Sequence, residues 1–175
     1  VLSRRAGVLP GPYVRAFGPR RASVEPRPWA RMQRCLQADA PALVAELAWV
    51  DERALGAAST GQAHRARLRN GTDVVIKLQY ADARRCFGHD FANGARLARL
   101  ALPALCPVIR EVRRRFLFEF DYAREGRDML AVQRACTNRR IVVPTPYLGL
   151  TTERVLCMEL LEGVQARGRD LTPPP

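Results

Sequence analysis

A turn signal between two strand-like segments is the feature that most limits how this chain can fold. Polar and apolar residues alternate over residues 64–68, which is the pattern of a strand with one buried face. Asn70 and Gly71 follow, and this pair favours the tight turns that join antiparallel strands. Residues 74–76 are then a β-branched run, which favours a second strand. Together these segments predict a β-hairpin around which the other elements must pack.

Helical patterns lie on both sides of this hairpin. Apolar residues recur at helical spacing from about Trp29, and Pro41 interrupts the pattern. After the hairpin, the sequence predicts helices over residues 82–102 and 108–135 and strands over residues 139–148 and 152–163.

This order of elements predicts an α+β fold in which helices pack on an antiparallel sheet. Residues 1–50 begin with repeated Pro and Gly and are expected to form a helical extension. Residues 51–163 are expected to form the sheet domain. Residues 164–175, which end in three prolines, are expected to be a linker.

The formal net charge of +12 comes almost entirely from arginine. Three interpretations compete: nucleic-acid binding, attraction to an anionic membrane surface, and a drift of composition toward Ala, Arg and Gly. The arginines are not interleaved with aromatic residues, so nucleic acid is not an expected partner. The five cysteines are scattered without a C-x-x-C motif and there are two histidines, so no metal site is expected.

Lys77 is the single lysine among the 29 Lys and Arg residues. It ends a β-branched run, and "VVIK" has the form of the V-A-I-K strand motif by which protein kinases hold nucleotide phosphates. A lysine ammonium is a compact charge on a flexible stem, whereas the planar fork of arginine does not fit the same pocket. The use of a lysine at this one position, in a chain that otherwise uses arginine, therefore indicates a phosphate contact. The alternative is a strand with a charge at its edge.

A cluster of small residues, "ALGAASTGQAH" over residues 54–64, precedes the lysine strand. Small side chains allow backbone N–H groups to approach phosphates closely. The G-x-G-x-x-G motif of typical kinases is not present in this cluster. It therefore suggests a phosphate loop of another type, or an ordinary turn rich in Gly and Ala.

In combination, these segments resemble the UbiB family of atypical kinase-like proteins, the aarF-domain kinases. "GAASTGQAHRARLRNGTDVVIKLQYAD" resembles the family's A-A-A-S-I-G-Q-V-H loop and V-A-V-K-V-Q strand. "EFDYAREGRDM" resembles E-x-D-Y-x-x-E-A-A-N, and "VPTPY…TTERVLCMELLEG" resembles V-P-x-V…S-x-x-V-L-x-M-E-x-x-x-G. The opening "VLSRRAGVLPGPYV" resembles L-S-T-R-P-D-L-L-P-P-E-Y-V. The resemblance implies a kinase-like N-lobe over residues 51–163, with an antiparallel sheet and an αC-like helix.

The resemblance also implies roles for individual residues. Lys77 would contact the α- and β-phosphates of a nucleotide and would pair with Glu125. Glu119 and Asp121 would form the family's E-x-D pair, which packs against an N-terminal lid. The other implied nucleotide contacts are the loop residues Ala57, Ala58, Ser59, Gly61 and Gln62 and the hinge residues Glu159, Leu160 and Leu161.

The sequence departs from the family pattern at several points. Gly56, Thr60 and Ala63 stand where the family has alanine, isoleucine and valine, and Asp128 replaces asparagine. A glycine makes the loop backbone more permissive. The family's K-x-G-Q motif would precede the first residue, and the second lobe with its catalytic and magnesium-binding residues would follow Gly163. The chain is therefore expected to be catalytically inactive by itself.

For the parent protein, the resemblance implies an atypical kinase or ATPase that binds ATP with Mg²⁺. It would support ubiquinone or other prenylquinone metabolism in mitochondria, or alternatively in plastids. Its implied partners are the nucleotide, a membrane surface that it contacts peripherally, and proteins of the prenylquinone pathway. The alternative is a non-catalytic regulatory or interaction module derived from the same lobe.

Overall fold

The computed structural model describes residues 24–138 and 140–163. Residues 1–23 of the predicted helical extension and the predicted linker over residues 164–175 lie outside the described residues.

The described elements follow the order α-α-β-β-β-α-α-α-β. They are α1 (Trp29–Asp39), α2 (Pro41–Glu46), β1 (Leu47–Ala57), β2 (Gly61–Leu68), β3 (Asp73–Gln79), α3 (Ala83–Ala101), α4 (Cys106–Phe118), α5 (Tyr122–Ala135) and β4 (Val155–Glu159), with short 3₁₀ helices at Pro103–Leu105 and Leu148–Leu150.

The four strands form one antiparallel sheet in the order β1-β2-β3-β4. The predicted hairpin is confirmed, because β2 and β3 pair from Gly61 opposite Gln79 to Arg67 opposite Asp73. Gly71 in its turn has a φ of +86°, a left-handed conformation that glycine adopts without the steric cost of a side chain.

One face of the sheet carries the main core. Side chains of neighbouring strand residues point to opposite faces, so alternate residues of β2, β3 and β4 meet α1 and α2 on this face. The buried members of this core are Met32, Leu36, Ala40, Leu43, Ala66, Leu68, Val74, Ile76, Leu78, Tyr80, Val155 and Cys157. The helices before the sheet and the sheet itself therefore share one hydrophobic core.

The opposite face packs against α5 and positions the candidate site. Gly126 of α5 lies against Leu156 of β4, and a Cβ at this glycine would be 3.5 Å from the leucine Cδ1. Gln79 is buried on the same side and donates hydrogen bonds to the carbonyls of Phe120 (2.9 Å) and Glu153 (3.1 Å). These contacts hold the start of α5 at a fixed position beneath β3.

The helices α3 and α4 form a hairpin. The start of α3 and the end of α4 contact the residues that precede α5 and β4. Phe87 of α3 packs on Phe116 of α4 and on the buried Phe120, with ring centroids 4.9 and 5.6 Å apart. Arg84 at the start of α3 pairs with Glu153 at 2.6 Å. The predicted helix over residues 82–102 is confirmed as α3.

Two sequence predictions are wrong. Residues 108–135 are not one helix, because residues 119–121 separate α4 from α5. Asp121 caps the new helix by accepting a hydrogen bond from the Arg124 N–H at 2.8 Å, and such a cap favours a fresh helix start. Residues 140–148 form no strand and contribute one isolated bridge, from Pro146 to Met158, since prolines cannot donate to a ladder.

Candidate functional site

Lys77 and Glu125 form an ion pair between β3 and α5. The lysine Nζ donates to both carboxylate oxygens of Glu125, each at 2.8 Å. Both side chains are about one-third exposed, at 31% and 38%, so the pair opens to solvent on one side. An ammonium has three N–H groups. Two of them engage the carboxylate, which leaves one that can reach a ligand.

The sheet register explains why the lysine faces α5. Lys77 lies opposite Ala63 on β2 and opposite Leu156 on β4. Directly opposed residues share a face. Leu156 contacts α5, so the register directs the lysine stem to the same helix. Glu125 lies in the first turn of α5, where a carboxylate is also stabilised by the helix dipole.

Tyr122 forms the floor beneath the lysine. Its ring centroid lies 4.4 Å from the Lys77 Nζ, within the range of a cation–π contact. The tyrosine is buried, and this burial raises the pKa of its hydroxyl well above the usual value. The phenol therefore stays neutral and fixes the lysine by its ring face. "DY" within "EFDYAREGRDM" was the available signal, and sequence reasoning assigned Tyr122 no role.

The predicted small-residue loop is shorter than the sequence suggested. β1 extends to Ala57 and β2 begins at Gly61, so the loop between the strands is residues 58–60. The Ala58 N–H donates to the Gly61 carbonyl at 2.8 Å and the Tyr80 N–H donates to the Thr60 carbonyl at 2.9 Å. These two bonds hold the loop against the ends of β2 and β3.

Two adjoining cavities meet at Lys77 and Thr60. The smaller, of about 240 Å³, lies between the loop and the lysine, and the larger, of about 520 Å³, runs along α5. The smaller is lined by Gly56, Ala57, Ala58, Thr60, Gly61, Gln62, Ala63, Lys77 and Tyr122, and the larger by Thr60, Lys77, Phe118, Glu119, Arg124, Glu125, Asp128, Met129 and Val132. Small side chains surround the lysine on the loop side, which leaves space for an anionic group.

The structure brings together part of the predicted site. Ala57, Ala58 and Gly61 line the small cavity with Lys77, and Ser59 lies in the loop between them. Gln62 also borders this cavity, but its side-chain amide bonds to Arg27 and His64.

The remaining predicted residues lie in three different settings. Glu119 lines the larger cavity, whereas Asp121 is occupied in capping α5. Leu160 and Leu161 follow β4 without regular structure. Glu159 ends β4 and bonds to Thr145, donating through its N–H at 2.8 Å and accepting through its carboxylate at 3.1 Å. None of the three hinge residues lines either cavity among the described residues.

Metal-binding groups are sparse around the site. Within residues 24–138 and 140–163, no group of three or more His, Cys, Asp or Glu side chains is arranged to hold a metal ion. The Lys77 ammonium beside the small-residue loop is a group that can bind an anion.

These features define a class of protein. The sheet is antiparallel, with a small-residue loop between its first two strands and a lysine on the third strand. The lysine pairs with a glutamate on a helix that packs against the sheet. This is the arrangement of a kinase-like N-lobe. The sequence matches the family described as the ABC1 atypical kinase-like domain over residues 20–172. The chain belongs to this family of UbiB-type atypical kinase-like proteins.

Individual relatives agree with this assignment. The chain is 33% identical to AarF domain-containing protein kinase 1 of Xenopus tropicalis, over 69% of this chain and 24% of that protein. It is 31% identical to the probable protein kinase UbiB of Vibrio cholerae, over 67% of this chain and 24% of that protein. The uncharacterized protein slr0889 of Synechocystis is 28% identical over 100% of this chain and 46% of its own length. The chain thus spans less than half the length of these relatives.

A solved structure has a similar fold. Rv3197 of Mycobacterium tuberculosis, determined in complex with erythromycin, aligns with a TM-score of 0.66 and 24% identity, over 88% of this chain and 40% of that one. This likeness supports the kinase-like fold.

Proposed function

We propose that this chain is the nucleotide-holding lobe of a UbiB-type atypical kinase or ATPase. The observation that carries the proposal is the Lys77–Glu125 pair, which presents an ammonium to a cavity lined by a small-residue loop. In kinases a strand lysine held by a helix glutamate contacts the nucleotide phosphates. Lys77 would hold the α- and β-phosphates of ATP here, and Glu125 would keep the ammonium in position.

The described residues fit the phosphates of ATP better than its metal. The small cavity is lined mostly by small side chains, with Lys77 as the cation among the described lining residues. The residues near it supply no set of three metal-binding side chains within the described ranges. Mg²⁺ would therefore take its ligands chiefly from other parts of the parent protein. For this reason we expect the lobe to contribute nucleotide binding and to be inactive by itself.

Replacing Lys77 by alanine tests this proposal. In the full-length protein, we expect the Kd for Mg-ATP to rise about tenfold to a hundredfold, because a charge-assisted bond to phosphate contributes roughly 1.5–3 kcal/mol. Isothermal titration calorimetry measures the Kd. Arg127→Ala is the matched control, since it removes an exposed cation from α5 that lines neither cavity.

Equal Kd values for the wild-type protein and the Lys77→Ala variant would contradict the role given to the lysine. ATP binding without turnover by the full-length protein would favour the non-catalytic module over the enzyme.

The family membership extends the proposal to the parent protein. The parent would support ubiquinone or other prenylquinone metabolism, in mitochondria or plastids, in contact with proteins of that pathway. The family assignment and the UbiB relative support this part of the proposal.

The hairpin of α3 and α4 supports a peripheral membrane contact. Its tip exposes five apolar side chains, with Leu100 at 86% and Leu97 at 71% exposure. The five are Leu97, Leu100, Leu102, Leu105 and Val108. A cavity of about 630 Å³ between the two helices is bordered by four arginines, Arg96, Arg99, Arg110 and Arg113. None of the described helices is long and apolar enough to cross a membrane. Apolar residues flanked by arginines suit the surface of an anionic bilayer.

Vesicle binding tests this contact. We expect the full-length protein to bind phosphatidylglycerol-containing vesicles more tightly than pure phosphatidylcholine vesicles, and high salt to weaken the binding. The double variant Leu97→Ser/Leu100→Ser should bind at least about tenfold more weakly, because each leucine loses roughly 1 kcal/mol of burial in the lipid. Ile141→Ser/Val142→Ser removes two exposed apolar side chains elsewhere and should bind like the wild-type protein. Equal binding by both double variants would exclude the hairpin tip as the contact.

A further inference from the structure

Gln62 and Lys77 lie on opposite faces of the sheet. Lys77 is directly opposite Ala63, so these two residues share the face that packs against α5. Neighbouring strand residues point to opposite faces, and the side chains of Gln62 and His64 therefore point toward α1 and the segment before it. Both side chains are buried, at 2% and 0% exposure. The Gln62 side chain therefore points away from Lys77, although the residue borders the small cavity.

The amide of Gln62 pairs with the backbone of Arg27. The Arg27 N–H donates to the Gln62 Oε1 at 2.8 Å, and the Gln62 Nε2 donates to the Arg27 carbonyl at 3.1 Å. In an antiparallel sheet, the backbone of a neighbouring strand would satisfy the N–H and the carbonyl of residue 27. Here the side-chain amide of Gln62 satisfies both groups. It connects the segment before α1 to the start of β2, directly after the loop over residues 58–60.

His64 sets the orientation of this amide. The His64 Nδ1 lies 2.8 Å from the Asp51 carbonyl, which can only accept, so Nδ1 carries the proton. The Nε2 of a neutral ring is then an acceptor, and it receives the second N–H of Gln62 at 2.9 Å. Burial lowers the pKa of His64 and keeps the ring neutral. Trp29 packs on the ring at a centroid distance of 4.8 Å and closes the cluster.

The side chain of Arg27 reaches the segment that follows β3. Its guanidinium pairs with Asp82 and lies 4.0 Å from the ring centroid of Tyr80. The N–H of Tyr80 in turn holds the Thr60 carbonyl. Arg27 therefore contacts the start of β2 through its backbone and the residue after β3 through its side chain, and both contacts lie next to Thr60, the last residue of the loop.

We propose that Arg27, Gln62 and His64 form a clamp by which the segment over residues 24–28 positions the loop over residues 58–60 for a phosphate-bearing ligand. The inference rests on the proposed nucleotide site, and it assigns the three residues a positioning role. When the segment is docked, the loop is held near Lys77. When it is released, Gln62 and Tyr80, which adjoin the loop at Thr60, lose their contacts to Arg27 and the affinity for nucleotide phosphates falls.

The test compares ATP with adenosine, using the full-length protein and its variants. Arg27→Ala keeps the backbone bonds to Gln62 and removes the contacts to Asp82 and Tyr80, while Gln62→Leu removes the backbone bonds. We expect each variant to bind Mg-ATP about fivefold to tenfold more weakly, the factor that follows from losing one or two net hydrogen bonds. Adenosine, which has no phosphates, should bind as it does to the wild-type protein. Amide hydrogen exchange should become faster at residues 58–61.

Arg34→Ala serves as the matched control, because Arg34 is exposed on α1 and, within the part of the chain that the structure describes, bonds only to Ala30 of its own helix. Unchanged ATP affinity in Arg27→Ala, with loss of affinity in Lys77→Ala, would overturn the clamp and leave the nucleotide site standing. An equal loss of affinity for ATP and adenosine would also overturn it, because a clamp on the loop acts on phosphates. Absence of ATP binding by the wild-type protein would overturn both proposals. If Gln62→Leu fails to fold, Arg27→Ala decides the result.

Discussion

Replacing Gly61 by alanine is expected to destabilise the protein by about 3 kcal/mol or more, the range of substitutions that force backbone to move. An alanine Cβ at this position would clash with the carbonyl oxygen of Leu78 and lie 3.0 Å from its carbonyl carbon. Both atoms belong to the backbone of β3, so no rotamer change relieves the contact. Because Gly61 begins β2 opposite Gln79, the two strands would have to separate where they support the loop.

Denaturant titration of the full-length protein, monitored at the transition of this lobe, measures the effect. The matched control is Gly56→Ala, because no atom of the described residues lies within 4 Å of a Cβ at Gly56. That variant should change the free energy of unfolding by no more than about 0.5 kcal/mol, as surface substitutions usually do. Similar values for the two variants would mean that the close approach of β2 to β3 does not exist in solution.

Replacing Met32 by alanine should lower the free energy of unfolding by about 3 kcal/mol, as expected for a buried large side chain that leaves a cavity. Met32 is fully buried and lies in the core that α1 shares with β2, β3 and β4. The lower stability should be seen in the unfolding transition that reports the sheet, because α1 and the sheet share one buried core.

The control is Gln33→Ala, an exposed position on the same helix, which should stay within about 0.5 kcal/mol of the wild-type protein. Circular dichroism and tryptophan fluorescence should report one coincident transition in both proteins, since Trp29 packs against the same core. A separate early transition confined to Trp29 would show that the N-terminal helices fold independently of the sheet.

The predictions that hold depend on local patterns. The hairpin follows from alternation and an Asn-Gly turn, and both act within a few residues. The start of the helical pattern at Trp29 and its break at Pro41 are also local, since a proline removes one donor and fixes its own φ. The errors arise where local signals compete. Residues 108–135 have helical composition throughout, but a capping aspartate and the buried Phe120 divide them.

The candidate site was predictable in part for the same reason. Lys77 could be identified because its type and strand position are features of the sequence. Its partner Glu125 lies 48 residues away, and only the resemblance to a family suggested it. The role of Tyr122 was missed although "DY" was available as a signal, and that of Arg27 was missed because a backbone held by a side-chain amide has no pattern in the sequence.

The sequence by itself determined the hairpin turn, the helix over residues 82–102 and the strand on which the single lysine lies, because propensity and periodicity act between near neighbours. The tertiary structure decided which face each side chain occupies and what it meets there. Gln62 shows the difference: its place after the loop suggests a nucleotide contact, but the sheet register directs its side chain to Arg27, 35 residues away. Such contacts depend on how separate elements pack together, and that packing is a property of the whole fold.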